Sequence, residues 1–205
     1  MTSEPRPPSS PLRQLRLLLW AAVAITVALY AFMLLRPATS SRGEAAKAPV
    51  SAPFTLLDAK GRPFSSSQLA GKPYALYFGF TRCGDVCPTT LGRMARLREQ
   101  AGGPDTFNLL FITIDPENDG PAEVGQYATL FNTPIIGLTG SKDAIGRVKR
   151  SYGIHAERTP HAGAGMEMEH TTTVLLFDRE GRRAGSISPN DSDAAALAAL
   201  KRLIF

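Results

Sequence analysis

The chain has few of the residues that carry redox and metal chemistry: 205 residues hold two cysteines and three histidines. No cysteine occurs before position 83, which speaks against a lipid-modified N-terminal cysteine. No basic run dominates either. The net charge is +5, from 23 Lys+Arg against 18 Asp+Glu, and outside the N-terminus only short pairs such as Arg182-Arg183 stand out. A nucleic-acid binder concentrates its basic residues on one face, so no nucleic-acid partner is expected. Internal repeats are absent, and no proline occurs between Ala162 and Ser188. What remains, 43% hydrophobic and 20% charged residues, suits one ordinary globular domain with an appendage.

The appendage is visible as one long apolar run, "LLLWAAVAITVALYAFMLL", Leu17 to Leu35, free of charge. About 20 apolar residues at 1.5 Å each cross a hydrocarbon core of about 30 Å, so 17–35 reads as a transmembrane anchor. A cleaved signal peptide is the competing reading, but its apolar region is usually about 7–15 residues. The A-x-A-like site Ala46-Lys47-Ala48 is followed by Pro49, a poor residue after a cleavage point. Arg6, Arg13 and Arg16 precede the run and Arg36, Arg42 and Lys47 follow it, so the positive-inside rule does not fix its orientation. Residues 36–52, rich in Ala, Ser and Pro, read as a flexible tether.

From 53 to 205 the pattern alternates. "FTLLDAKGRPFSSS" reads as an N-terminal β-hairpin, and "YALYFGF" as a strand buried on both faces. "PTTLGRMARLREQ" reads as a helix begun by Pro88, with Leu91, Met94, Ala95 and Leu97 on one stripe. Strand "FNLLFITI", helix "PAEVGQYATLF", strand "IIGLTG" and helix "SKDAIGRVKRSYGI" follow. "TTTVLLFD" and "RRAGSIS" pair as a hairpin, and "DAAALAALKRLIF" closes as an amphipathic helix. Alternating β and α, then an antiparallel pair and a helix, predict a three-layer α/β sandwich with a mixed sheet.

Both cysteines lie in one βα turn, "FGFTRCGDVCPTT", with Cys83 just past the buried strand and Cys87 at the start of the next helix. Spacing i, i+4 puts both sulfurs on one side of the turn. A helix N-terminus favours the thiolate, the form that attacks disulfides and binds metals. The pair is a metal clamp, a redox pair or an inert packing pair. Two thiolates attract soft ions such as Cu(I) or Zn(II), and a tight site needs a third ligand from His155, His161 or His170. His170 stands at the entry to "TTTVLLFD", which can start beside the cysteine turn; alone, such a histidine is as easily a surface or capping residue. His161, Met166 and Met168 lie upstream in a Gly-rich loop, where they are transient Cu(I) donors or incidental. Asp115 ends a buried strand in "FITIDPEND", where sites form in open α/β sheets; it either orients the cysteine turn through backbone hydrogen bonds or caps its own loop.

Taken in order, "GFTRCGDVCPTTL", "ITIDPENDGP", "GLTG" and "EHTTTVLLFD" resemble the Sco/SenC proteins of cytochrome c oxidase assembly, from about Pro53 to the C-terminus. The resemblance implies a thioredoxin-like fold and one copper, Cu(I) and also Cu(II), held by Cys83, Cys87 and His170. It gives Asp115 a supporting or partner-recognition role. It implies the CuA centre of oxidase subunit II as partner, with other periplasmic copper carriers. Residues 1–16 would be cytoplasmic, 17–35 would lie in the inner membrane, and 53–205 would lie in the periplasm. There a close cysteine pair can also form a disulfide, which excludes copper because both consume the same thiolates. The chain departs from the family pattern at Gly84, usually proline, at Asn118 to Pro121 after the Asp-Pro pair, and at Thr171, usually serine.

Three functions use this site. A copper-binding assembly factor binds, releases and docks, and turns over no small substrate. A thiol–disulfide oxidoreductase would use one cysteine to attack and the other to resolve. Against its general form stand the Cys-x-x-x-Cys spacing and the missing proline ahead of "TTTVLLFD", where His170 stands instead. A narrower form, reduction of the CuA cysteines, survives. A membrane-tethered copper or redox sensor is the third.

Overall fold

The computed structural model describes residues 11–35, 51–160, 166–170 and 172–205, with 157–160 and 166–170 described as backbone only. The expected tether therefore lies almost wholly outside the described residues. The chain divides into two units, Met1–Ala46 and Lys47–Phe205. The first contains helix α1, Pro11–Leu35, with no acidic residue in its first turn and no basic one in its last. Its described apolar side chains, among them Leu18, Trp20 and Val27, are exposed. Among the described residues no helix is long and apolar enough to cross a membrane, and the described side chains cover only part of α1.

The second unit is built on a five-stranded sheet. Strands β1 (Thr55–Leu57) and β2 (Pro63–Ser65) form the N-terminal hairpin. Then come β3 (Tyr74–Gly79), α2 (Val86–Gln100), β4 (Asn108–Thr113), α3 (Pro121–Ala128), β5 (Ile135–Leu138) and α4 (Lys142–Ser151). A second hairpin, β6 (Ala156–Pro160) and β7 (Met166–His170), precedes β8 (Val174–Phe177), β9 (Arg183–Ile187) and α5 (Asp193–Ile204). The sheet order is β5-β4-β3-β8-β9. β3, β4 and β5 run parallel, while β8 and β9 are antiparallel to their neighbours, which gives the mixed sheet that the alternating pattern predicts.

Side chains alternate across the sheet because strand Cβ atoms do. Ala75, Tyr77, Leu109, Phe111 and Leu176 pack with Leu91, Met94 and Leu97 of α2, Val124 and Tyr127 of α3, and Leu200 of α5. Tyr74, Leu76, Phe78, Leu110 and Ile112 pack on the other face with Ile145 and Val148 of α4 and with Phe54 and Leu56 of the hairpin. All six residues of β3 are buried, as expected for a central strand covered by helices on both faces. The stripe on α2 also carries Arg98, buried at 2% exposure. Its guanidinium donates to the carbonyl oxygens of Pro104, Phe107 and Pro134, so three backbone acceptors at the end of α2 are satisfied by one cation.

Two hairpins close with the same five-residue turn, Asp58-Ala-Lys-Gly-Arg62 and Asp178-Arg-Glu-Gly-Arg182. Each aspartate accepts backbone N–H groups from residues two and four further on, and pairs with the arginine. Gly61 and Gly181 adopt φ of 72° and 73°, a left-handed conformation that glycine enters without Cβ strain.

One glycine is needed for space instead. A Cβ on Gly137 of β5 would lie 2.6 Å from the Val124 carbonyl oxygen, a backbone atom of α3. Gly137→Ala must push α3 off the sheet, and thermal denaturation is expected to show a loss of about 1–3 kcal/mol.

Candidate functional site

The cysteine turn begins where β3 ends. The Cys83 N–H donates to the Phe80 carbonyl at 3.3 Å, and the Cys87 N–H donates to Cys83 Sγ at 3.3 Å. That second bond replaces an ordinary helix cap. The N-cap residue of α2, Asp85, makes no side-chain cap bond, and an N–H group of the first turn goes to sulfur instead. The helix starts at Val86, so Pro88 is its third residue rather than its first. A proline in the first turn costs no intrahelical bond, which lets α2 begin two residues earlier. Both cysteines are thiols in this structure.

The two sulfurs sit in different surroundings. Cys83 is partly exposed, whereas Cys87 is fully buried among Tyr77, Leu91 and Phe111. Burial pushes the Cys87 thiol up to about 12; a hydrogen bond from Tyr77 acts against this, and neighbouring Cys83 adds to it. In the metal-free protein the expectation of a thiolate-rich pair therefore fails for Cys87, because desolvation outweighs the helix terminus. Gly79 makes the close seat possible. A Cβ there would lie 2.8 Å from Cys87 Sγ, 3.0 Å from the Phe111 ring and 3.1 Å from the Tyr77 ring.

Two aspartates hold the turn from below. Asp115 is buried and pairs with Arg82 at 2.8 Å, while Asn118 Nδ2 donates to both its carboxylate oxygens. Asp115 thus reaches the turn through a side chain, and the backbone bond expected of it belongs to Asp119. Thr81 donates its N–H to Asp119 Oδ2 at 2.9 Å and its hydroxyl to Oδ1 at 2.6 Å. Thr113 Oγ1 donates to Oδ2 at 2.6 Å, having accepted the Asp115 N–H at 3.0 Å. Asp119 is fully buried, and its own carbonyl accepts from Thr139 Oγ1 at 2.6 Å.

Part of the stretch expected as a Gly-rich loop, 161–169, belongs to a hairpin whose strands pair Ala156 with His170 and Pro160 with Met166. His170 ends β7, four residues before β8. Met166 and Met168 are on the same strand. Strand β8 is antiparallel to β3, with Tyr74 opposite Phe177 and Leu76 opposite Leu175, so the chain entering β8 arrives at the end of β3 where the cysteine turn starts. The side chains of His170, Met166 and Met168 lie outside the described residues, as does His161 altogether. Among the described residues no three His, Cys, Asp or Glu side chains converge to hold a metal ion.

Residues 42–205 match the SCO1/SenC family model. The chain belongs to the SCO1/SenC family. Protein SCO1 homolog 1, mitochondrial, of Arabidopsis thaliana is 35% identical over 140 residues, 66% of this chain and 41% of that one. Protein SCO2, mitochondrial, of Saccharomyces cerevisiae is 31% identical over 156 residues, 74% of this chain and 52% of that one. This SCO1/SenC chain thus spans about half the length of those curated relatives. Among solved structures, Bradyrhizobium japonicum ScoI with copper bound is similar with a TM-score of 0.67 and 34% identity, covering 76% of this chain and 99% of that one. These SCO1/SenC structures share the thioredoxin-like α/β fold found here.

Sequence reasoning missed Asp119, Gly79 and Tyr77. The first sits four residues after Asp115, close enough to be read as part of the same loop. The other two read as ordinary core positions of a buried strand, and only the packing of α2 onto β3 brings them to Cys87.

The burial difference predicts ordered reactivity. In the reduced, metal-free protein the partly exposed Cys83 should alkylate first, with Cys87 modified only as the pH nears about 12 or the chain unfolds, as peptide mass mapping would show. The sign for stability follows. An unfolded cysteine loses its proton near 9.0 and folded Cys87 near about 12, so its contribution is intact below pH 9 and falls as pH rises through that window. Equal labelling of both thiols at pH 8 would refute the buried seat.

Proposed function

We propose that this chain binds one copper ion through Cys83, Cys87 and His170 and serves the assembly of the CuA centre in cytochrome c oxidase subunit II. The observation that carries this reading is the pair of reduced cysteines at the start of α2, Cys83 in the turn before the helix and Cys87 in its first turn, in a family with a copper-bound relative of the same fold. The donor set fits: soft sulfur and an imidazole suit Cu(I), and exchange of such ligands with the cysteines of a CuA site needs no other chemistry. The ion supplies no reaction of its own here; it is cargo, carried as Cu(I) or Cu(II). The protein's residues bind, release and dock.

Each residue has a part in this reading. The partly exposed Cys83 is the sulfur a partner reaches first, and Cys87 is the deeper donor. His170 closes the site from the chain entering β8. Arg82, exposed at the rim and held by the buried Asp115, would meet a partner. His161, Met166 and Met168 would hold Cu(I) in passing. Other periplasmic copper carriers would load the site. The charge-free run 17–35, within helix α1, would anchor the protein in the inner membrane, with 1–16 in the cytoplasm, 36–52 as tether and 53–205 in the periplasm.

A reductant reading has one observation in its favour: Cys83 is accessible and takes an N–H bond from the helix, so it is the sulfur able to attack a CuA disulfide, with Cys87 resolving. A titration separates the two. The reduced domain from about Pro49 onward, kept free of oxygen, is titrated with Cu(I) against a competing chelator. One copper per chain is expected, lost in Cys83→Ser and Cys87→Ser, and weakened about 10–100-fold in His170→Ala. Stoichiometric tight copper in either serine variant would sink the clamp. Absence of tight copper in the wild type, with rapid reduction of an oxidised CuA domain, would make the protein a reductase.

A further inference from the structure

The geometry points to Asp119 as the residue that sets the shape of the copper-binding turn, a positioning role that rests on the copper-binding reading above. A fully buried carboxylate is costly to place in a protein interior unless its acceptors are filled. Here they are filled by donors from two neighbouring strand ends. Thr81, two residues before Cys83, gives both its N–H and its hydroxyl, at 2.9 and 2.6 Å. Thr113, the last residue of β4, gives its hydroxyl at 2.6 Å. The Thr113 hydroxyl is itself oriented, since it accepts the Asp115 N–H and has only one proton to donate. A third strand end joins through the Thr139 hydroxyl on the Asp119 carbonyl.

The consequence for the sulfurs is mechanical. The Cys83 N–H is bonded to the Phe80 carbonyl, and its sulfur is positioned by the Cys87 N–H. Between the sulfurs, Gly84 has open space where a Cβ would stand, so side-chain packing does not fix the turn at that point. With the backbone at Thr81 fixed on Asp119, the path from β3 to Cys83 is fixed as well, so the two sulfurs are held at one separation before copper arrives. Without it, the Thr81 N–H loses its partner and Cys83 moves relative to Cys87, whose seat against Gly79 is set independently by core packing. Geometry rather than charge carries the role. An asparagine at 119 can keep its amide oxygen toward the Thr81 N–H and Thr113 hydroxyl and turn its amide nitrogen to Thr81 Oγ1.

The test compares Asp119→Ala, Asp119→Asn and Thr81→Val with Val148→Ala, a core truncation on the opposite face of the sheet. Three quantities are measured on each: the melting temperature, the Cu(I) affinity by chelator competition, and the dithiol–disulfide equilibrium of Cys83 and Cys87 against glutathione. Asp119→Ala is expected to weaken Cu(I) about 10–100-fold and to shift the disulfide equilibrium by at least about threefold. Asp119→Asn should stay within about threefold of wild type in both, which a purely electrostatic role would not allow. Val148→Ala should lower the melting temperature and leave both other readouts unchanged. If Asp119→Ala does not fold, Thr81→Val, at a part-buried site, must show the same direction at smaller size. Asp119→Ala or Thr81→Val that lose melting temperature alone would overturn the proposal. If wild type holds no tight copper, the copper reading falls, and the disulfide equilibrium then decides Asp119 by itself.

Discussion

Strand β3 is buried along its whole length, bonded to β4 on one edge and β8 on the other. That position constrains everything at the cysteine turn. A central strand cannot shift its register without moving apolar side chains off both faces, so its end is a fixed point. The turn that follows inherits this rigidity through Gly79, which leaves room for Cys87 Sγ, and through the Ile114 N–H, which donates to the Gly79 carbonyl at 2.8 Å. Both neighbours then contribute to the same place. β4 delivers Thr113, Asp115 and Asp119, and antiparallel β8 begins beside the same end of β3. The mixed sheet matters because a parallel neighbour brings its C-terminal end to the site, and an antiparallel one its entry.

The two sulfurs divide the work that one turn must do. Cys87 is part of the core, and removing it from water costs it the ionised form. Cys83 faces outward and receives the helix N–H that an ordinary cap would take. One sulfur is thereby fixed by packing and the other by an N–H of the helix. A pair built this way leaves one sulfur accessible while the second stays buried.

Polar groups at depth are few and each closes a gap between elements. Asp119 ties the ends of β3, β4 and β5, and Arg98 gathers carbonyls from the loops flanking β4 and β5. The paired Asp-x-x-Gly-Arg turns do similar work at the surface, where an aspartate satisfies turn N–H groups and is neutralised by the arginine that ends the turn.

The sequence by itself determined the order of elements, the mixed sheet and the placing of both cysteines in one βα turn, because these follow from local periodicity and spacing. Runs such as "YALYFGF" have few ways to bury themselves, and Ser141 marks a helix start by chemistry alone. Only the tertiary structure decided which aspartate holds the turn, that Cys87 is buried while Cys83 is not, and that Gly79 is the seat of a sulfur. It also showed β6 and β7 as a hairpin, where polar and glycine-rich "HAGAGMEME" gave no strand pattern to read. These depend on distances between residues far apart in the chain. Thr81 and Asp119 are 38 positions apart and meet because two parallel strands end at the same level. Hydrophobic periodicity reports which face a residue takes, but not which residue it meets there.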